Sequence, residues 1–126
     1  MFEIEFDEKQ GLMKRRLWGF WSVETAKAYV AEVESVVARI KRRHPSFATI
    51  SDSREMPLQP MDVMEVLFKG MKSSCTANSG KTAILVSSVL SKLQVERLYP
   101  YANMRAFLDE QRAREWLFDN GTQEGR

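Results

Sequence analysis

A chain of 126 residues fits one domain, and at 44% hydrophobic it holds too much apolar material for a disordered chain. Its 19 basic and 17 acidic residues nearly cancel, to a net charge of +2, which argues against specific nucleic-acid binding. The one cysteine, Cys75, excludes an internal disulfide, and no apolar run approaches the ~18 residues of a membrane span, so a soluble cytoplasmic protein is expected.

Phe2, Ile4 and Phe6 alternate with Glu3, Glu5 and Asp7, the period of two that marks a strand with one buried face. A secretory leader would instead set basic residues before a continuous apolar core, so export is not expected. Residues 7–11 are turn chemistry ending on a glycine, and a second strand is expected over residues 12–20. On it Lys14 and Arg16 share one face and would stand opposite Glu3 and Glu5 in an antiparallel pair, at ~0.2–1 kcal/mol for each pair. Arg15 then falls on the inner face with Met13 and Leu17, which alternation does not explain unless it lies near an edge.

Ser22 can cap a helix whose start suits Glu24. Ala26, Tyr29, Val30, Val33, Val36, Val37 and Ile40 recur at spacings of three and four, and Pro45 ends the helix near Arg43. Residues 47–52 read as a short strand ending in Asp52, and residues 53–60 as a loop. Pro60 suits the first turn of a second helix with Met61, Met64, Leu67, Phe68 and Met71 on its apolar face. Residues 73–80, small and polar, read as a linker in which Cys75 is a small, half-buried hydrophobe. Residues 82–86 suggest a strand buried on both faces. Ser87 or Ser88 would cap a third helix carrying Val89, Leu90, Leu93 and Leu98, ended by Pro100. A last strand is expected at residues 104–108. Asp109 would cap a helix through Phe118 with Ala113, Trp116 and Leu117 inward, and Asn120-Gly121 would stop it.

The order β-β-α-β-α-β-α-β-α implies an α/β fold: a mostly parallel sheet of four to five strands, an N-terminal antiparallel hairpin and about four helices. One domain is expected over residues 1–120, with a flexible tail at 121–126.

Phe107-Leu108-Asp109, followed by Ala113 and Trp116-Leu117, is similar to the closing strand and helix of the SpoIIAA-like domains, the STAS (sulfate transporter and anti-sigma-factor antagonist) fold. Ala48-Thr49-Ile50-Ser51-Asp52 resembles a strand of the same family that often ends in aspartate. The likeness runs from about Phe2 to Phe118 and is nearest to the stand-alone branch grouped with lipid-binding Sec14-type domains. It implies a binding or regulatory module rather than an enzyme. Family members that antagonise anti-sigma factors carry a phosphorylatable serine where the helix after that strand begins. Here Leu58-Gln59-Pro60-Met61-Asp62 stands there and Ser53 comes too early, so the phospho-switch is not carried over.

Asn78-Ser79-Gly80-Lys81-Thr82 looks like a phosphate loop, but Cys75 stands where that pattern needs a glycine, and the segment opens a strand rather than a helix. Lys41-Arg42-Arg43-His44 is a basic cluster that complements a helix dipole. With His44 the only histidine and no cysteine cluster, neither a metal site nor a cofactor is expected.

Ligands of open α/β sheets bind outside the carboxyl ends of the strands. That edge would present Trp21, Asp52, Ser53, Arg54 and Met56, then Ser87 and Ser88, with Met61 and Met64 on the adjoining helix. As a site for a small apolar, lipid-like ligand or a partner protein, it would use Met61, Met64 and Trp21 as an apolar wall. Arg54 would meet an anionic head group, and Ser53 and Ser87 would donate hydrogen bonds. A second expectation is a regulatory homodimer formed through Trp18, Phe20 and Trp21. A hydrolase-like enzyme, the third, would have only Asp52, Ser53 and Arg54 to draw on.

Overall fold

The computed structural model describes residues 1–77, 80–99 and 101–119. Strands β1 (Phe2–Asp7) and β2 (Leu12–Trp18) pair antiparallel, with Glu3 opposite Arg16 and Glu5 opposite Lys14, the register expected from charge alternation. β2 ends at Trp18 rather than at residue 20, because Gly19 takes φ +83°, a left-handed conformation that breaks a strand. Helix α1 (Val23–Lys41) begins where Ser22 Oγ accepts the Thr25 N–H at 3.1 Å. It closes at Lys41, slightly ahead of the expected limit, since the residue before Pro45 is pushed out of helical conformation.

Strand β3 (Ala48–Glu55) outruns the apolar segment that announced it. Parallel pairing of Arg16 with Asp52 and of Trp18 with Glu55 carries it into the expected loop. Helix α2 (Met61–Ala77) follows, with the Pro60 carbonyl accepting the Met64 N–H at 3.0 Å. It continues through residues 73–77, which composition had marked as linker. Those residues include no glycine or proline, and each costs a helix only tenths of a kcal/mol. Then come β4 (Thr82–Leu85), α3 (Val89–Leu98), β5 (Met104–Phe107) and α4 (Glu110–Leu117). Ser88 caps α3, and Asp109 caps α4 by accepting the N–H groups of Gln111 and Arg112. Pro100, Asn120, Gly121 and the tail lie outside the described residues, as do the side chains of Cys75 and Leu98.

The five strands lie in the order β1-β2-β3-β4-β5, parallel from β2 onward. The progression across the sheet never reverses, so right-handed crossovers place α1, α2 and α3 on the same face. The core agrees: Met13 and Leu17 of β2 pack with α1 and Val63 of α2, and Ile84 and Val86 pack with Met71 and Val95. On the opposite face, among the described residues, α4 alone covers Leu12, Ile50, Leu85 and Phe107. Beyond the reach of this short helix that face is charged, with Glu3, Glu5, Lys14 and Arg16 exposed.

Candidate functional site

Three helices share one face of the sheet, and α2 and α3 leave a cavity of about 250 Å³ above the strands. Its floor is Arg15 of β2, Ser51 and Ser53 of β3, and Ile84 of β4, continued by Val86. Tyr29 and Val33 of α1 form one wall, and Met64, Leu67 and Phe68 of α2 another. Val95 of α3 and Tyr99 close the third side, where the Phe68 and Tyr99 rings meet edge to face at 5.3 Å. Met56, Pro57 and Leu58 rim the mouth, and Leu58 is 82% exposed.

α3 explains the space. Of its expected apolar residues, Val89, Leu90 and Leu93 all face solvent, and the Leu98 side chain lies outside those described. The crossover from β4 to β5 fixes which side of the helix meets the sheet, and the α3 residues that line the cavity are Ser91, Gln94 and Val95. Ser91 and Val95 are too short to fill the gap.

Two buried side-chain atoms at this cavity, Arg15 Nε and the Tyr29 hydroxyl, have no partner among the described residues. Arg15 is 2% exposed, and its Nε has no hydrogen-bond partner. Among the described residues its Nη2 donates only to the Met71 sulfur, a weak acceptor, at 3.7 Å. No ion pair forms at Arg15 among the described residues. Tyr29 is 3% exposed with its hydroxyl unpaired, its ring edge-on to Phe2 and Trp21 at 5.1 and 5.2 Å. Among the described residues these are the only buried side-chain atoms left unsatisfied, and both residues line the one cavity.

Of the residues expected at the strand-end edge, Ser53, Met56, Met64 and Ser87 line the cavity. Asp52 and Arg54 do not, because β3 continues through them and alternation turns them to the α4 face. There Arg54 grips Asp52 and approaches Glu110. The hydrogen bond from Arg54 holds the Asp52 carboxyl below its usual pKa, and the same contact raises that of Arg54. Ser53, on the other face, donates to the Leu85 carbonyl at 2.9 Å, so the cluster Asp52-Ser53-Arg54 does not assemble. Arg54 is thus occupied by acidic partners and does not face the cavity as an anion receptor. Met61 is 83% exposed and Ser88 serves α3 as its cap, both outside the cavity lining.

Trp21 is neither wall nor surface. It is 4% exposed, its ring nitrogen donates to the Trp18 carbonyl at 3.0 Å, and its ring packs on Phe2 and Tyr29. Its backbone N–H donates to Gln59 Oε1 at 2.9 Å, while Gln59 Nε2 donates to the carbonyls of Gly19 and Pro57. This one side chain, which sequence reasoning passed over, staples the loop before α2 to the loop before α1. Lys81 of the apparent phosphate loop donates to the Trp116 carbonyl at 2.8 Å and to that of Asp119 at 3.4 Å, at the end of α4. It leads into a strand, as expected.

No protein-family model and no curated protein matches the sequence. Solved structures do match its backbone. An uncharacterised protein of the DUF3478 family from Shewanella loihica PV-4, with a SpoIIAA-like fold, superposes with TM-score 0.69 at 16% identity, over 93% of this chain and 92% of that one. The chain has the SpoIIAA-like fold. The unphosphorylated anti-sigma factor antagonist SpoIIAA matches at TM-score 0.62 and 12% identity, over 92% of this chain and 96% of that one. Phosphorylated SpoIIAA, a Bacillus cell fate determinant, matches at TM-score 0.59 and 14% identity, over 92% and 99%. At such identities a SpoIIAA-like backbone carries no site residues with it.

Proposed function

We propose that this chain is a non-enzymatic binding module of the cytoplasm. It holds a small apolar ligand, or an apolar segment of a partner protein, between α2 and α3. The observation that carries this reading is the cavity: apolar walls, a few convergent polar groups, and a rim of exposed apolar side chains are the make-up of a ligand site. Ser53, Met56, Met64 and Ser87 are the expected residues that take part. Residues 56–62 carry no hydroxyl, so a switch by phosphorylation at the start of α2 is not part of the proposal. Native mass spectrometry of the purified protein, repeated after denaturation, tests it. A mass excess lost on denaturation, and lost in Met64→Asp, is the expected result; an excess unaffected by Met64→Asp places the ligand elsewhere.

A second reading, a regulatory homodimer, draws on exposed apolar surface at Phe20 and along the outer side of α3. Buried Trp21 contributes nothing to it. Sedimentation across a wide concentration range distinguishes a dimer from a strict monomer.

A further inference from the structure

A buried cation without a counter-ion is the least expected feature of an apolar cavity. Arginine is a permanent cation, and burying it unpaired is costly. Arg15 nevertheless lies 2% exposed in the cavity floor with Nε unsatisfied, and the unpaired Tyr29 hydroxyl belongs to the same lining. The guanidinium presents its donors in a fork that matches a carboxylate. Around these two groups the walls are methionine, leucine and phenylalanine, which favour a hydrocarbon chain.

Resting on the binding-module reading above, we propose that Arg15 and Tyr29 together receive the anionic head of a single-chain amphiphile, a carboxylate on an alkyl chain. The head lies on the sheet and the chain runs out between α2 and α3 toward Leu58. The cavity holds about 250 Å³. At roughly 30 Å³ for each atom-sized group, the share of a water in the liquid, that admits about eight non-hydrogen atoms. A medium-chain fatty acid such as octanoate, with about ten non-hydrogen atoms, fits with its last carbons in the mouth.

The test compares octanoate, octanol and acetate by isothermal titration calorimetry on the wild type, Arg15→Gln and Arg15→Met. Octanoate should bind at least about tenfold more tightly than octanol, which lacks the charge, and than acetate, which lacks the chain. Both Arg15 variants should erase the preference for octanoate over octanol while still binding octanol. Removing an unpaired buried charge should also leave the melting temperature of Arg15→Met unchanged or raised without ligand. If the wild type binds octanol and octanoate equally, the anchor proposal falls and the apolar cavity stands. Acetate matching octanoate would mean a site for small free anions and also overturns it. Unfolding of both variants would make Arg15 a structural residue and overturn the anchor. If none of the three probes binds, and Met64→Asp also leaves the mass excess described above unchanged, the cavity reading itself falls.

Discussion

Arg54 holds the carboxylate of Asp52 at two points, 3.0 and 2.9 Å from its oxygens, while the Asp52 carboxylate also accepts the Arg54 backbone N–H at 3.1 Å. Such a clasp at a partly exposed position contributes ~0–1 kcal/mol. Its pH dependence has a definite sign. Because the folded pKa of Asp52 lies below the ordinary carboxyl value of 3.8, the contribution is complete above that value and is lost as pH falls through the lower folded one. Asp52→Asn should therefore lower stability by up to ~1 kcal/mol near neutrality and lose its effect in strong acid. Urea midpoints of the two proteins, measured at neutral pH and again well below pH 3.8, check this. A deficit that persisted in acid would show that packing, and not charge, is what Asp52 supplies. Arg15 has no such neighbour among the described residues, and the proposed anchor role draws on this contrast between the two arginines.

At the scale of an element, α3 is the helix that departs most from its pattern. Val89, Leu90 and Leu93 lie at helical spacing and read as a core stripe, yet they are 60, 75 and 57% exposed. Periodicity reports that a helix has an apolar side; only the crossover geometry decides where that side points. The inward side is underfilled, and Val95→Phe should fill part of the space. The expected result is a gain of ~0.5–2 kcal/mol in urea unfolding together with loss of octanoate binding in calorimetry. A loss of stability of ~1–3 kcal/mol would instead show that the cavity cannot accept a ring. The staple made by Gln59 bears on the same site from the other side, fixing the β3–α2 loop whose Leu58 rims the mouth.

Across the whole molecule, exposed α3 and Phe20 offer apolar surface for self-association. If that surface joins two copies, Leu90→Asp should convert the dimer to monomer in sedimentation while changing stability by no more than ~0.5 kcal/mol. The element order was legible in the sequence because each strand and helix kept its own period and punctuation. The register of β1 on β2 was legible from Glu3, Glu5, Lys14 and Arg16, whose charges must meet. The site was legible only in part. A rule drawn from sheets whose order reverses pointed to the strand ends, and here no reversal exists. Ending β3 at Asp52 also hid the alternation that sends Ser53 one way and Arg54 the other. Arg15 stood out as misplaced on an inner face, and its meaning needed the helices that enclose it.

The strictly consecutive strand order also sets how the chain can assemble. Every sheet pairing joins neighbours in sequence, so no strand must wait for a partner from the far end of the chain. Each parallel pairing closes a loop no longer than one helix and its connections, and closure entropy grows only slowly with such lengths. The two-strand hairpin is the cheapest piece to form and leaves a ribosome before the strands that add to it. Growth can then proceed by adding one helix and one strand at a time, and α4 seals the second face last.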